Sequence, residues 1–469
     1  MKIEIKKGTA AIFLTALLAG LLAFPAAADA AQTAVIYYNG TANAAGPAVS
    51  AENTSENTGD APDTVETDAE GEGAVTGADE AAQAEQPAAV REVPAVYIRT
   101  ANGKGSQLDR ADGYQKASMT VLDRFDNAIL EDGSGRVKVR GNSTGAAPKK
   151  PYTFKLDEKA DLMGFGAAKK WVLLAECFDP TMMRNSMAFD LAEALGLAYT
   201  PQHCTAELWL DNRYMGMYTL TEGIDTGKER IDIDIENGDF LLEVEKDRVE
   251  EDVTYFVTSE GLRFAASDPE TPSEAQSDHI ETVLEAVTAA IASGNWQQVT
   301  DRIDVSSFAA VYLLNEYFSN VDFFESSTYF YYKDGKLYAG PVWDYDISAG
   351  NVNPAFAKGY EEALSAEGIR CAVGFYAGLT EYFQFRSAVR SLAAASEAKL
   401  ADLYEEGGWI DRFIAANGTT IGLNASEAGW LPGTWQFETT RVPDETYEAN
   451  VAFLREWLRA RHAYLKTVW

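Results

Sequence analysis

Val137-Lys-Val-Arg-Gly-Asn-Ser-Thr-Gly-Ala-Ala-Pro-Lys-Lys-Pro-Tyr-Thr-Phe-Lys-Leu156 decides how this chain is read. Val137 to Arg140 alternates apolar and basic, as a half-buried strand does. Gly141 to Pro148 is small and polar and breaks the strand as a loop. Tyr152, Phe154 and Leu156 then share one face of a second strand, with Thr153 and Lys155 on the other. Two strands therefore flank a glycine loop, and four cations crowd around it: Arg140, Lys149, Lys150 and Lys155. Small residues let backbone amides approach an anion, and nearby cations neutralise it. No Gly-Lys-Ser/Thr follows, so this is not a Walker loop. A solvated hairpin with lysines on it is the competing reading.

Outward from this stretch, the residues to about 247 read as strands and turns. Trp171–Ala175, Ala206–Leu210, Tyr214–Leu220 and Phe240–Val244 are short apolar strand candidates. Asp211-Asn212-Arg213 is a hairpin turn. One helix is predicted over Thr181–Leu195, with Asp179 as its cap and Gly196 as its stop. Later residues are more helical. Ile280, Val283, Leu284, Val287 and Ile291 lie on one helical face, and Phe308 to Phe318 reads as a buried helix. A hairpin through Tyr329–Tyr332 and Leu337–Val342 leads into Trp343-Asp344-Tyr345-Asp346. The chain closes on an amphipathic helix with Tyr447, Val451, Leu454, Leu458 and Leu465 on its stripe.

Two carboxylate features follow from that order. Asp344 and Asp346 stand at the end of an apolar hairpin, where an unpaired charge is costly to bury. A hard cation would offset the cost, and Mg²⁺ takes one or two carboxylates plus phosphate oxygens. Ordinary turn aspartates are the plain alternative. Asp322, in Asn320-Val321-Asp322, follows a buried helix; it is either a turn residue or an acceptor for a hydroxyl proton.

The amino-terminal end reads as an export signal. Lys2, Lys6 and Lys7 precede an apolar run from Ala10 to Phe24, then Pro25 and an Ala28-Asp29-Ala30 cleavage pattern. The run is shorter than the roughly 20 apolar residues of a membrane span; an uncleaved anchor is the alternative. No later stretch is long enough to cross a bilayer, so no membrane span is expected after cleavage. Residues 51–90 hold eleven Asp or Glu and no Lys or Arg. So acidic and core-poor a segment is expected to be a disordered linker, either a spacer or solubilising filler. The expected layout is a signal peptide at 1–30, an acidic linker at 31–91 and a globular part at 92–469. The protein is expected to be secreted or on the cell surface.

Composition excludes several classes. A formal net charge of −33 argues against nucleic acid as a partner. Cys177, Cys204 and Cys371 form neither a zinc ribbon nor a CxxC site and are expected to be buried thiols. His203, His279 and His462 are too scattered for a histidine metal site or a Ser-His-Asp triad.

Taken together, six motifs resemble the CotH family of kinase-like proteins. They are Val-Arg-Gly-Asn-Ser (139–143), Lys-Lys-Pro-Tyr (149–152), Met-Arg-Asn (183–185), Tyr214-Met-Gly-Met-Tyr218 with Glu222, Asn-Val-Asp (320–322) and Trp-Asp-Tyr-Asp (343–346). The resemblance spans roughly residues 93–352. It implies an α+β, two-lobed atypical protein-kinase-like fold, with a strand-rich N-lobe at about 92–247 and a helix-rich C-lobe at about 248–469. It implies transfer of the ATP γ-phosphate to Ser/Thr hydroxyls of a protein with a Ser/Thr-rich segment, using Mg²⁺ (or Mn²⁺). By position, Asp322 would be the catalytic carboxylate, and Asp344 would hold the metal with Asp346 assisting. Arg140, Lys150 and Lys155 would hold phosphates. Lys155 suits a cleft-facing strand lysine, whereas Lys150 lies in the more recognisable motif. Glu222 would lie near the nucleotide or pair with a cation. The family's Asn about five residues after the catalytic Asp is missing; on the resemblance Ser327, a weaker ligand, or Glu325 would take its place at the metal. Two rivals stand beside this reading: a surface or matrix scaffold that has lost catalysis, and a metal-dependent hydrolase.

Overall fold

In the computed structural model the alternation at 137–156 becomes two neighbouring staves of a closed barrel. The structure describes residues 91–246, 250, 253–355, 365–430 and 437–469. The signal peptide expected at 1–30, and the acidic linker apart from Arg91, lie outside the described residues. Seven strands build the barrel: β1 (Ala95–Thr100), β2 (Gln115–Leu122), β3 (Ala128–Val139), β4 (Tyr152–Asp161), β5 (Ala167–Leu174), β6 (His203–Leu210) and β7 (Arg213–Glu222). Their order is β1-β2-β3-β4-β5-β7-β6, and a parallel pairing of β1 with β6 closes the ring. Closure removes the exposed edges that an open sheet would carry. Val137, Val139, Phe154 and Trp171 fill the interior, so the alternate residues Lys138, Thr153, Lys155 and Lys170 face outward.

The loop between β3 and β4 contains one short helical turn, α1 (Ser143–Ala146), where only a loop is expected. Gly141 has φ +79°, which a glycine adopts without strain. The helix predicted from Thr181 begins three residues later, as α2 (Arg184–Ala194). Met182, with φ 57°, interrupts it. The cap position falls on Met183 and not on Asp179, whose carboxylate, from farther upstream, still accepts from the amides of Met183 (2.9 Å) and Arg184 (2.8 Å).

A second sheet has the order β12-β11-β8-β10-β9. Its strands are β8 (Phe240–Val244), β9 (Tyr255–Val257), β10 (Arg263–Asp268), β11 (Thr328–Lys333) and β12 (Lys336–Ala339). The sheets therefore do not part at the lobe boundary expected near 247. β8 lies before that boundary yet is central to the second sheet, because Phe240 and Leu242 belong to the helical core.

That core packs the helices against the second sheet. α3 (Glu274–Ala292) starts on a Ser273–Gln276 capping box and buries Ile280, Leu284, Val287 and Ile291. α4 (Trp296–Arg302) leads to α5 (Val305–Phe318), which is capped by Asp304 and buried from Phe308 to Phe318. The remaining helices are α6 (Phe375–Leu379), α7 (Phe383–Ala395), α8 (Glu397–Asp402), α9 (Trp409–Ser426) and α10 (Tyr447–Val468). The architecture is thus mixed α+β with two large hydrophobic cores and three small clusters among the described residues. Val172, on the outer face of β5, belongs to the helical core and so ties the barrel to it. Cys177, Cys204 and Cys371 are free thiols. No helix among the described residues is long and apolar enough to cross a membrane.

Candidate active site

α5 ends at Phe318, and Ser319 takes a left-handed conformation that turns the chain. The Asp322 carbonyl accepts from the amides of Glu325 (2.9 Å) and Ser326 (3.2 Å), and Thr328 Oγ1 accepts from Phe324 N at 3.0 Å. This tight turn sets Asp322 and Ser327 before the hairpin of β11 and β12. The hairpin then delivers Asp344 and Asp346. Ser327 Oγ donates to Asp344 Oδ2 at 3.3 Å.

The Asp344–Asp346 turn is held from several sides. Asn185 Oδ1 accepts from Tyr345 N at 2.7 Å, and its amide nitrogen donates to Glu176 Oε2 at 2.9 Å. Asn351 donates to the Asp346 carbonyl at 2.7 Å. Arg184 is paired with Asp179 and donates to the carbonyls of Ser348 (2.9 Å) and Ala349 (3.3 Å). The Met-Arg-Asn motif therefore acts as a clamp on the aspartate turn. Left-handed backbone at Glu176, Phe324, Ser327 and Asp344, none of them glycine, concentrates around this site. Such conformations cost about 1–3 kcal/mol each and gather at functional sites.

The charges are crowded. Burial pushes Asp322 up to about 7, Asp344 pushes in the same direction, and Arg370 partly opposes them. Burial also raises Asp344, against the pull of Arg140 and the Ser327 hydroxyl. Asp346 is held well above the usual carboxylate range by burial and by repulsion from Asp344, Glu176, Asp322 and Asp179. No described residue donates a hydrogen bond to the Asp346 carboxylate. Glu176 is pushed up to about 7, chiefly by burial, and its Oε1 is buried without a hydrogen-bond partner.

The cations come from the barrel. Arg140, at the end of β3, lies over the Trp343 ring at 4.9 Å, and Asp344 is among its electrostatic neighbours. Its Nη1 is buried with no hydrogen-bond partner. Of the two lysines proposed for phosphates, Lys150 turns its ammonium back on the Gly145 carbonyl at 2.9 Å, where it braces the glycine loop. Lys155 is exposed on the outer barrel face. Lys149 is buried under the Tyr218 ring and donates to Asn424 at 3.1 Å and to the Met217 carbonyl; burial brings it down to about 7. Sequence reasoning overlooked Lys170. It pairs with Lys155 across β4 and β5, feels the charge of Arg140, and donates to the Ile224 carbonyl at 3.0 Å. The alternation of Lys170 and Val172 with Trp171 and Leu173 would have pointed to it.

Glu222 pairs with a cation, Arg230, at 2.6 Å. Burial pushes Glu222 up to about 7 against that pairing. Both residues line a cavity of about 280 Å³ between the end of β7 and Pro341. Leu197, Tyr199, Ile224 and Ile231 give it apolar walls. Pro341 lies three residues before Asp344, and Lys170 is bonded to the wall residue Ile224, so the cavity adjoins the charged site.

No three His, Cys, Asp or Glu among the described residues are grouped as a ready-made metal cage. Two aspartates and a serine hydroxyl are what this site offers a cation. Magnesium accepts such a set when phosphate oxygens and water supply the rest. The fit is therefore to a metal that arrives with a phosphate ligand.

A family model described as CotH kinase protein matches residues 137–465. No curated protein matches the chain.

Proposed function

Since the chain belongs to the CotH kinase protein family, we propose that it is a two-lobed atypical protein kinase. On this reading it transfers the γ-phosphate of ATP to Ser or Thr hydroxyls of a protein, with Mg²⁺ or Mn²⁺, outside the cytoplasm. One observation carries the reading. Arg140, half-buried but with its Nη1 buried and unpartnered, faces the half-buried Asp322 and Asp344 and the buried Asp346, whose charges are poorly balanced. A polyphosphate with its metal supplies both missing partners, an anion for the arginine and a cation for the carboxylates.

Each residue then has a task. Arg140 and Lys170 bind phosphate oxygens, Arg140 held in place by Trp343. Asp344 and Asp346 would hold the metal, with Ser327 beside Asp344. The cavity next to Lys170, of mixed polar and apolar lining, takes the base against its Leu197, Tyr199, Ile224 and Ile231 walls, with the Glu222–Arg230 pair also lining it. Asp322 accepts the acceptor hydroxyl's proton; a base poised near 7 suits that work. Bound ATP and its metal supply the phosphoryl group and the charge that organises these oxygens. Little covalent chemistry is left to the protein, and positioning does most of the catalysis.

The test uses the full chain with labelled ATP, Mg²⁺ or Mn²⁺ and a Ser-rich protein, beside Asp322→Ala and Asp344→Ala. Transfer lost in both variants is expected. ATP binding without transfer would mean a catalytically lapsed scaffold, and absence of both would overturn the reading. The lysines divide as well. Arg140→Gln and Lys170→Gln should each weaken ATP binding about tenfold, since charge-assisted bonds to phosphate are lost. Lys150→Gln should change it less than about threefold, because Lys170 is the lysine that feels the charge of Arg140 beside the aspartates. Calorimetric titration with ATP decides; equal losses at all three positions would refute the division.

A further inference from the structure

Three strands of the barrel place like charges directly opposite one another. Arg136 on β3 faces Lys155 on β4, and Lys155 faces Lys170 on β5. Directly opposed like charges on one sheet face repel and destabilise the pairing. Lys138 and Arg140 continue the same face of β3, at two-residue spacing. Lys138 is depressed by burial and then by the charges of Lys170, Arg140 and Arg110, with Glu250 opposing them only in part. The protein carries a net −33, so carboxylates are plentiful. Yet no described carboxylate forms an ion pair with Arg136, Lys138 or Lys155. Tyr114 lies against this row, its ring 4.9 Å from the Arg136 guanidinium and 4.7 Å from the Lys138 ammonium.

The row has two parts. Arg140 and Lys170 are shielded, one on Trp343 and the other on the Ile224 carbonyl, next to the aspartates. Arg136 and Lys155 are exposed and Lys138 is half-buried, farther along the strands. A nucleotide held by the shielded pair leaves this outer part of the row unmatched. An acidic chain lying along the strands would match it.

We propose that the outer face of β3 and β4, with Arg136, Lys138, Lys155 and Tyr114, docks an acidic polypeptide segment. Resting on the kinase reading, that segment flanks the acceptor hydroxyl, which makes this an enzyme for Ser or Thr in acidic surroundings. Charge complementarity carries the choice of occupant. An extended peptide laid along the strands sets its carboxylates against the row, and Tyr114 gives it an apolar contact.

Fluorescence anisotropy tests this with the full chain and a labelled Ser peptide flanked by Asp and Glu, beside its Asn/Gln counterpart. The acidic peptide should bind about tenfold tighter, with the difference shrinking in high salt. Arg136→Gln/Lys138→Gln should lose about tenfold in peptide affinity and leave ATP affinity within about threefold. Arg136→Lys should retain most of the binding. The thermal midpoint of the double variant should be no lower than the parent's, since repulsion is relieved; this separates lost docking from lost folding. Equal affinity for the two peptides would overturn the proposal. So would a parallel loss of ATP affinity in the double variant, which would assign the row to the nucleotide. Docking is read without transfer. If acidic-peptide binding and its sensitivity to the double variant persist while ATP fails to bind, the surface stands and the kinase reading alone falls.

Discussion

Asp322→Asn is expected to unfold at higher urea than the parent chain in metal-free buffer at pH 7.5, and to lose about 10²–10⁴ of its phosphoryl transfer. Both effects come from one carboxylate. Burial and Asp344 raise Asp322 from an ordinary value of 3.8 to about 7. Between those values the folded chain holds a proton that the unfolded chain has released. Parent stability therefore falls as pH rises through that window. Asparagine imitates the protonated form at every pH and avoids the penalty. The advantage of the variant should be near zero at pH 4 and should reach on the order of 4 kcal/mol above pH 7. Asp346→Asn should behave in the same direction, since Asp346 is raised by burial and by four neighbouring carboxylates. Adding Mn²⁺ with ATP should stabilise the parent by mass action and narrow the gap. Urea midpoints at pH 4.5 and 7.5 test the stability half. An Asn variant less stable than the parent at pH 7.5 would show that Asp322 makes favourable contacts as an anion, contrary to the reading here.

How much of this was legible beforehand depends on how local the cause is. β8 matches its predicted span, Phe240–Val244, because five apolar-rich residues between polar ones leave little choice. β4 begins at Tyr152 as its alternation requires. Barrel closure was not legible, since it rests on β1 pairing in parallel with β6 over a hundred residues away, and nothing in either strand specifies that partner. At the site, Asp344 and Asp346 stood out because carboxylates at the end of an apolar hairpin are conspicuous. Lys150 stood out through its motif, but that the ammonium also bonds the Gly145 carbonyl of the glycine loop was not readable from it. Lys170 becomes visible only with the β4–β5 register. Glu176 and Asn185 meet across a turn whose left-handed residues, Glu176 and Met182, have no sequence signature. Local periodicity was readable; register and turn geometry were not.

Glu316→Ala is expected to cost about 3–5 kcal/mol, the range for removing one member of a buried ion pair. Glu316 sits on α5 with its side chain fully buried and pairs with the equally buried Arg461 of α10 at 2.8 Å. Its carboxylate also accepts from the amides of Cys371 (2.6 Å) and Arg370 (3.1 Å). Alanine would strand a buried guanidinium and leave two amides without an acceptor. Burial alone would raise the Glu316 carboxyl, and Arg461 with the two amides opposes that rise. Glu316→Gln keeps an acceptor but loses the charge and should cost less. Glu316→Met/Arg461→Met removes both charges and should recover much of the loss, since the two desolvation penalties disappear together. The network also reaches the site. Arg370 donates to the Val321 carbonyl at 2.6 Å, one residue before Asp322. Loosening Arg370 should therefore let the Asp322 turn drift while the phosphate-binding cations on the barrel stay in place. In Glu316→Gln, kcat should fall several-fold while KM for ATP stays nearly constant, the pattern of a group mispositioned only for the transition state. Urea unfolding and the transfer assay measure the two halves. A loss below about 1 kcal/mol in Glu316→Ala would mean that water reaches the pair and that the two charges are not truly buried.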